Sequence, residues 1–381
     1  MLSGRIPPVL RPEHPSARPL GGLVDAFALE VVRGRVDGLE VTGITLATGD
    51  LRPGDLYVGV QGQNRHGAEF AAEAAEAGAV ALLTDRAGAV IAEDAPLPIL
   101  VVDDPRAALG ELSAWVYRTT EEPPLLLGVT GTNGKTSTAY LLDGILRQLG
   151  LVTGLSSTAE RKIGDLTVVS RLTTPESSEM HALLARMREA GVRAVAVEVS
   201  AQALSRHRVD GIVFDVVGFT NLSHDHLDDY ADMEEYFQAK LPLFQPDRGR
   251  RGVVSLDSAY GERVVESARI PVTTITAREG VDAEWRVELT EEHPAHTGFR
   301  LSGPGGQSLE TRVPLIGWHM AANAGLAIVM LVEVGFSLDV IAQALGDHGI
   351  DAYLPGRTER VSGDRGPSVY VDFGHSADAF E

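Results

Sequence analysis

Hydrophobic positions along the chain fall into short apolar runs separated by stretches with helical spacing, and their character changes near residue 123. Before that point, Leu56-Tyr57-Val58-Gly59-Val60 follows the turn-forming residues Arg52-Pro53-Gly54-Asp55 and predicts a strand. The Ala/Glu-rich stretch 67–78 predicts a helix, and 79–83 and 99–102 predict two further strands. Residues 21–122 therefore read as a small α/β domain. Glu121-Glu122-Pro123-Pro124 is polar and stiffened by proline, and marks a boundary.

Past the boundary, Leu125-Leu126-Leu127-Gly128-Val129 is uninterruptedly apolar, as a strand buried on both faces of a parallel sheet must be. Ala139, Leu142, Ile145, Leu146 and Leu149 then recur at helical spacing, and Gly150 closes that helix. Strand-like runs return at 194–199 and 215–219 with helical segments between them. Alternation of this kind predicts an α/β domain with a doubly wound parallel sheet. Residues 281–315 alternate instead, as in Trp285-Arg286-Val287-Glu288-Leu289, and predict antiparallel strands on one edge. Two helices are expected at about 318–332 and 337–346. A last strand is expected in 368–373, with no partner left for it. The division is thus a proline-rich loose arm (1–20), a first domain (21–122), a central domain (123–355) and the start of a third (356–381).

Composition narrows the class. With 44% hydrophobic and 23% charged residues the chain is globular, and its 381 residues suit two or three domains. There is no cysteine, which excludes thiolate metal sites and cysteine nucleophiles. A net charge of −20 argues against nucleic-acid binding and against docking on an anionic membrane. No run approaches the roughly 18 apolar residues of a membrane-spanning helix. A soluble cytoplasmic protein is expected.

Chemistry concentrates at Gly131-Thr132-Asn133-Gly134-Lys135-Thr136, between the predicted strand and helix. A glycine-bearing turn that opens a helix on Lys-Thr-Ser presents backbone N–H groups to an anion. Lys135 would neutralise outer phosphates and the Thr136 hydroxyl would reach Mg²⁺, with Ser137 beside it. The strict pattern wants glycine where Val129 stands, so the loop is a variant, Thr-Gly-Thr-Asn-Gly-Lys-Thr.

That loop, preceded by a domain of this size, resembles the Mur ligase family, which adds amino acids to the peptidoglycan stem peptide. Further segments resemble its UDP-N-acetylmuramoyl-tripeptide synthetase branch: Leu172-Thr173-Thr174-Pro175-Glu176, Glu198-Val199-Ser200, Asn221 through Asp228, and Tyr236 through Phe244. Ala321-Ala322-Asn323-Ala324, Gly356-Arg357 and Asp372-Phe373-Gly374-His375 follow in order. The resemblance spans residues 40–381. It implies ATP-dependent activation of a carboxylate of UDP-MurNAc-L-Ala-D-Glu as an acyl phosphate, which the amine of a diamino acid then attacks. It implies Mg²⁺ on Thr136 and Glu198, and a second ion near His226 and Lys240, with Lys240 carboxylated on its ε-nitrogen. Without that modification Lys240 would be a poor ligand, because Mg²⁺ wants hard oxygens.

The resemblance also assigns Thr173, Thr174, Ser200, Arg206 and Arg208 to the muramoyl nucleotide. It assigns Asn323, Arg357 and His375 to ATP. By residue type alone, Lys240 reads as a solvated lysine and Asn323 as an ordinary helix residue. The chain departs from the family at Leu46-Ala47-Thr48-Gly49-Asp50, where the uridine site has Asp-Ser-Arg. It departs again at Gln202, usually histidine, at Arg206, often glutamine, and in Asp372-Phe373-Gly374-His375-Ser376-Ala377, where the family reads Asp-Tyr-Ala-His-Thr-Pro. Most of the family's last domain, which holds the incoming amino acid, is expected to be missing, and a monomer unable to complete ligation is expected. Two other readings stay open: a non-catalytic nucleotide-binding paralogue, and a folylpolyglutamate synthase, which lacks a substrate domain ahead of the loop.

Overall fold

The computed structural model describes residues 9–224, 229–357, 359–363, 366–367 and 369–374. Contacts divide the chain into two compact units. The first is drawn from Met1–Pro123, Pro175–Ala190 and Ser205–Ile212, and the second from Pro124–Thr174, Gly191–Leu204 and Val213–Glu381. The two short segments of the first unit come from the stretch 123–355, which the sequence reads as one domain.

The first unit holds a five-stranded sheet in the order Glu30–Arg33, Ile99–Val101, Ala81–Thr84, Asp55–Gly59, Gly43–Thr45. The last four strands are parallel and wholly buried, and Glu30–Arg33 is an exposed antiparallel edge. Side chains alternate between two cores, as the two-residue period of a strand dictates. Leu56, Val58, Leu83 and Leu100 pack with Leu109, Leu112 and Val116 of helix Pro105–Tyr117, while Tyr57, Leu82 and Ile99 pack with Ala71 and Ala74. The helix expected at 67–78 is a 3₁₀ turn, Gly67–Phe70, running into a short α-helix, Ala71–Glu76.

From residue 9 onward the proline-rich segment is tied to this unit. Arg18–Pro19 pairs with Glu40–Val41, the Arg18 guanidinium lies 3.5 Å over the Trp115 ring, and buried Arg11 reaches Asp55 at 2.6 Å. An arginine is buried this deeply only when a carboxylate meets it. Helix Ser177–Glu189 adds Ala182 and Ala185 to the core. Its fully buried His181 joins three chain segments, with Nδ1 2.6 Å from the Thr119 hydroxyl and Nε2 2.9 Å from the Asp210 carbonyl. That carbonyl can only accept, so Nε2 carries the proton and Nδ1 accepts from Thr119.

The second unit is built on an eleven-stranded sheet. Its centre is parallel, in the order Thr153–Ser156, Ala194–Glu198, Leu125–Thr130, Phe214–Phe219, Gly249–Ser255, Val272–Thr276. Leu127, Val129, Ala194, Ala196 and Val216 share one core with helices Lys135–Gln148 and Trp318–Glu333. Trp285–His293, His296–Ser302 and Ser308–Val313 form the expected antiparallel edge.

Two features differ from the sequence reading. The opposite edge is also antiparallel, an unexpected hairpin of Glu160–Ile163 and Leu166–Val169. Edge strands need cover on one face only, and charged Glu160, Arg161 and Lys162 gave no apolar run. The last strand is not partnerless: Tyr370–Val371 pairs antiparallel with Glu359–Arg360. Among the described residues, no helix is long and apolar enough to cross a membrane.

Candidate functional site

The loop 131–136 joins the central strand Leu125–Thr130 to helix Lys135–Gln148 at the carboxyl end of the parallel sheet, where open α/β sheets bind ligands. Its two glycines are required by the local backbone. Gly131 (φ 147°) leaves no room for a side chain, since a Cβ would stand 1.9 Å from the Thr220 hydroxyl. Gly134 caps the helix at φ 84°, and a Cβ there would stand 2.6 Å from Asn323 Oδ1. Asn323, buried on helix Trp318–Glu333, is thereby placed directly against the loop.

The loop is held open by the segment after Phe214–Phe219. Asn221 Oδ1 accepts from the Asn133 amide at 2.9 Å, and the Thr220 hydroxyl donates to the Asn133 carbonyl at 2.6 Å. The Asn221 carbonyl accepts from the Thr132 amide at 2.9 Å. The Thr132 hydroxyl accepts from the Ser223 amide at 3.1 Å and lies 3.3 Å from Tyr236 Oη. With these groups engaged, the amides of Thr136 and Ser137 stand in the first helical turn, where an α-helix offers no carbonyl partner and its dipole is positive. That is the geometry of an anion site.

Two lysines converge on one loop carbonyl. Lys135 Nζ donates to Gly131 O at 3.0 Å and to Thr132 O at 2.7 Å. Lys240, 1% exposed, donates to the same Gly131 O at 3.0 Å and lies 4.3 Å over the Tyr236 ring. The lysine that residue type alone would place in solvent is buried at the loop.

Glu198 ends the neighbouring strand Ala194–Glu198 and is fully buried. Its carboxylate accepts from the Thr158 amide at 2.9 Å and the Thr158 hydroxyl at 3.0 Å. Burial pushes this carboxyl above its ordinary range, against the opposing pull of Lys135, Thr158 and Arg357. Arg357 donates to the Thr136 hydroxyl at 2.9 Å. Glu198, Thr136, Lys135 and Arg357 therefore belong to one electrostatic cluster.

Beside it, the Thr174 hydroxyl donates to the Glu198 carbonyl at 2.7 Å and accepts from the Ser200 amide at 3.2 Å. The Thr173 and Thr158 hydroxyls lie 3.1 Å apart, and because the single Thr158 proton goes to Glu198, Thr173 is the donor. Arg208 pairs with Glu176 at 3.0 Å, and Arg206 is exposed; both belong to the first unit. His226 and His375 lie outside the described residues. Thr158 and Thr220 carry no sequence signal as supports, and Asn221 has one only as part of the segment Asn221 through Asp228, because each acts through a partner far away in sequence.

The donor set suits a hard divalent cation in part. A buried carboxylate that burial penalises and a nearby hydroxyl are oxygen ligands of the kind Mg²⁺ takes. Lys240 as an ammonium is not, since it has only N–H donors. Among the described residues, no three His, Cys, Asp or Glu side chains come together as a metal cluster.

Comparison with known proteins gives the following. Residues 129–331 match the profile described as the Mur ligase middle domain, and residues 40–117 match one described as Mur ligase family, catalytic domain. The chain is 64% identical over 380 residues to a UDP-N-acetylmuramyl-tripeptide synthetase of Leifsonia xyli, covering 100% of this chain and 74% of that protein. It is 45% identical over 371 residues to a UDP-N-acetylmuramoyl-L-alanyl-D-glutamate–2,6-diaminopimelate ligase of Streptomyces coelicolor, covering 97% and 72%. A solved structure of a ligase of the latter description superposes with TM-score 0.77 at 22% identity, covering 94% of this chain and 72% of that one. At that identity the likeness is one of fold.

Proposed function

The chain belongs to the Mur ligase family, ATP-dependent ligases of peptidoglycan precursor synthesis, and we propose that it activates UDP-MurNAc-L-Ala-D-Glu for addition of a diamino acid as third residue. It does so in the cytoplasm, as a monomer. The convergence of Lys135 and Lys240 on the Gly131 carbonyl, with buried Glu198 in the same cluster, carries this reading. The match at 40–117, ahead of the loop, weighs against the folylpolyglutamate reading.

A carboxylate oxygen of the dipeptide attacks the γ-phosphorus of ATP and ADP departs. The amine of the diamino acid then attacks the acyl carbon; the C–N bond forms, the C–O bond to phosphate breaks with its electron pair leaving on the phosphate, and the amine gives up a proton. Both partners of the first step are anions, so fixed cations must screen their approach. Lys135 moves from the loop carbonyls to the phosphate oxygens, which replace two neutral acceptors with charged ones. Arg357, which donates to the Thr136 hydroxyl, would meet the same phosphates, and Asn323, which packs against Gly134, would meet the nucleotide. Mg²⁺ held by Thr136 and Glu198 would supply further charge neutralisation there.

Two cations on one carbonyl repel each other. Reaction of the neutral Lys240 amine with CO₂, releasing a proton, turns one of them into an anion with metal-ligating oxygens. This gives a physical reason for the carbamate, and His226 would join Lys240 at a second ion. Thr173, Thr174, Ser200, Arg206 and Arg208 would face the muramoyl nucleotide, Arg208 through a guanidinium that can donate two parallel bonds. His375 would contact ATP.

The test is ADP release measured with and without UDP-MurNAc-L-Ala-D-Glu, alongside a carbamate signal from labelled bicarbonate. The dipeptide nucleotide should stimulate release, and Lys240→Met should abolish the carbamate signal and lower release about 100-fold. ADP that binds with no stimulated release would favour the non-catalytic paralogue and sink this proposal.

A further inference from the structure

Helices Pro105–Tyr117 and Ser177–Glu189 of the first unit pack side by side and run in the same direction. Both begin where Arg106 and Arg208 pair with Glu176. Both end about 19 Å of helix later, where Arg188 donates to the Tyr117 carbonyl at 3.0 Å and to the Arg118 carbonyl. Carbonyls that the end of a helix leaves without partners are thereby satisfied.

This far end holds a cavity of about 120 Å³, walled on one side by residues 12–16 of the proline-rich segment and on the others by Thr42, Arg118, Arg188 and Glu189. A water molecule takes up about 30 Å³ of the liquid, so the space suits a few waters or one small ion, not a nucleotide.

The polar groups around it are largely unanswered. Arg118 caps its helix at φ 54°, its Nε is buried with no hydrogen-bond partner, and its guanidinium makes no ion pair among the described residues. The side chains of His14, Ser16 and Thr42 likewise make no hydrogen bond among the described residues. Glu189, the acid that lines the cavity, is engaged elsewhere. Its Oε1 accepts from the His14 amide at 2.8 Å, and its Oε2 accepts from the Glu13 amide at 2.8 Å and from Arg186 at 3.0 Å. The uncompensated charge is felt nearby: burial, and then repulsion from Arg118, hold the pKa of Arg18 below its ordinary value.

A buried donor without an acceptor is costly, and native folds answer it with water or an ion. A guanidinium edge presents two parallel N–H groups, which match two oxygens of one carboxylate or phosphate group. The hydroxyls of Ser16 and Thr42 can donate to the same ligand. With a net charge of −20 the chain has no general attraction for anions, so binding there would have to come from these groups.

We propose that this cavity is an oxyanion site, taking a small carboxylate or phosphate group on Arg118 with Ser16 and Thr42 as further donors. The bound ion would join the proline-rich segment to the ends of both helices, at the opposite end from Arg208. The inference does not depend on the ligase reading.

Calorimetry on the full chain tests this, with ADP saturating the loop and with inorganic phosphate and acetate as probes. The wild type should bind at least one probe, and the one bound more tightly identifies the group. Arg118→Met should bind that probe about 10- to 100-fold more weakly and keep the wild-type affinity for ADP. In buffer free of both probes it should unfold thermally at the wild-type temperature or above, because methionine removes a donor that nothing accepts. Thr42→Val, which loses only a hydroxyl, should weaken the same probe about 2- to 10-fold and keeps the test valid should the methionine variant fold poorly. Neither probe bound, or equal affinity in the wild type and both variants, overturns the site. The cavity would then hold water alone, and the loop's reading would stand.

Discussion

Acidification should loosen the first unit through a single side chain, His181. It is wholly buried as the neutral tautomer between Thr119 and Asp210, and burial pushes its pKa down to about 4, only partly opposed by Asp210. In the unfolded chain an ordinary histidine titrates near 6.5. Between these two values the unfolded state binds more protons, so the contribution is complete above about pH 6.5 and is lost as pH falls toward 4. At pH 4.5 the unfolded imidazole is almost fully protonated and the folded one mostly neutral. The difference amounts to about 2.5 kcal/mol of stability lost relative to pH 7.5. Carboxylates titrate over the same range, so the measurement is a difference of differences. Urea unfolding is followed by the emission of Trp115, with Trp285 and Trp318 replaced by phenylalanine in both proteins, for His181 and His181→Gln at pH 7.5 and pH 4.5. Glutamine can still donate to the Asp210 carbonyl but cannot take a proton. The wild type should lose about 2.5 kcal/mol more than the variant on acidification. Equal losses in the two proteins would show that His181 is not held neutral by its burial, and the tautomer argument would fall with it.

Two substitutions probe the loop. Gly131→Ala forces a side chain into a left-handed backbone and against the Thr220 hydroxyl, disturbing its bond to Asn133. It should destabilise the second unit by about 2–4 kcal/mol, read in denaturant unfolding, and remove ADP binding. Glu198→Gln keeps the shape and deletes a charge that burial penalises. The ligand-free protein should melt at the same temperature or higher in thermal unfolding. The gain in ADP affinity that Mg²⁺ brings should shrink about tenfold or more, read by calorimetry with and without the metal. An unchanged Mg²⁺ effect would remove Glu198 from the metal site.

Local pattern was enough for the elements that build the candidate site. The run 125–129, the glycine turn and the helical spacing from Ala139 to Leu149 concern residues a few positions apart, and burial on both strand faces leaves a direct imprint on composition. The hairpin of Glu160–Ile163 and Leu166–Val169 was not legible because an edge strand half in water carries no such imprint. Lys240 shows the same limit in chemistry. Nothing in its residue type announces burial, and only resemblance to a family singled it out.

The sequence by itself determined that a glycine-bearing turn opening a helix on Lys-Thr stands between a central strand and a helix in a parallel sheet, and where each of its residues falls. Tertiary structure decided which distant groups meet it. Lys240 reaches the Gly131 carbonyl across 109 positions, Asn221 holds Asn133 across 88, and Arg357 reaches Thr136 across 221. It also decided that His181 and Asp210 belong to the first unit's core rather than to the domain their positions suggest. The reason is the range of the forces. Periodicity and turn chemistry act between near neighbours, whereas a buried cation or carboxylate is stabilised only by partners that the folded sheet brings within about 3 Å.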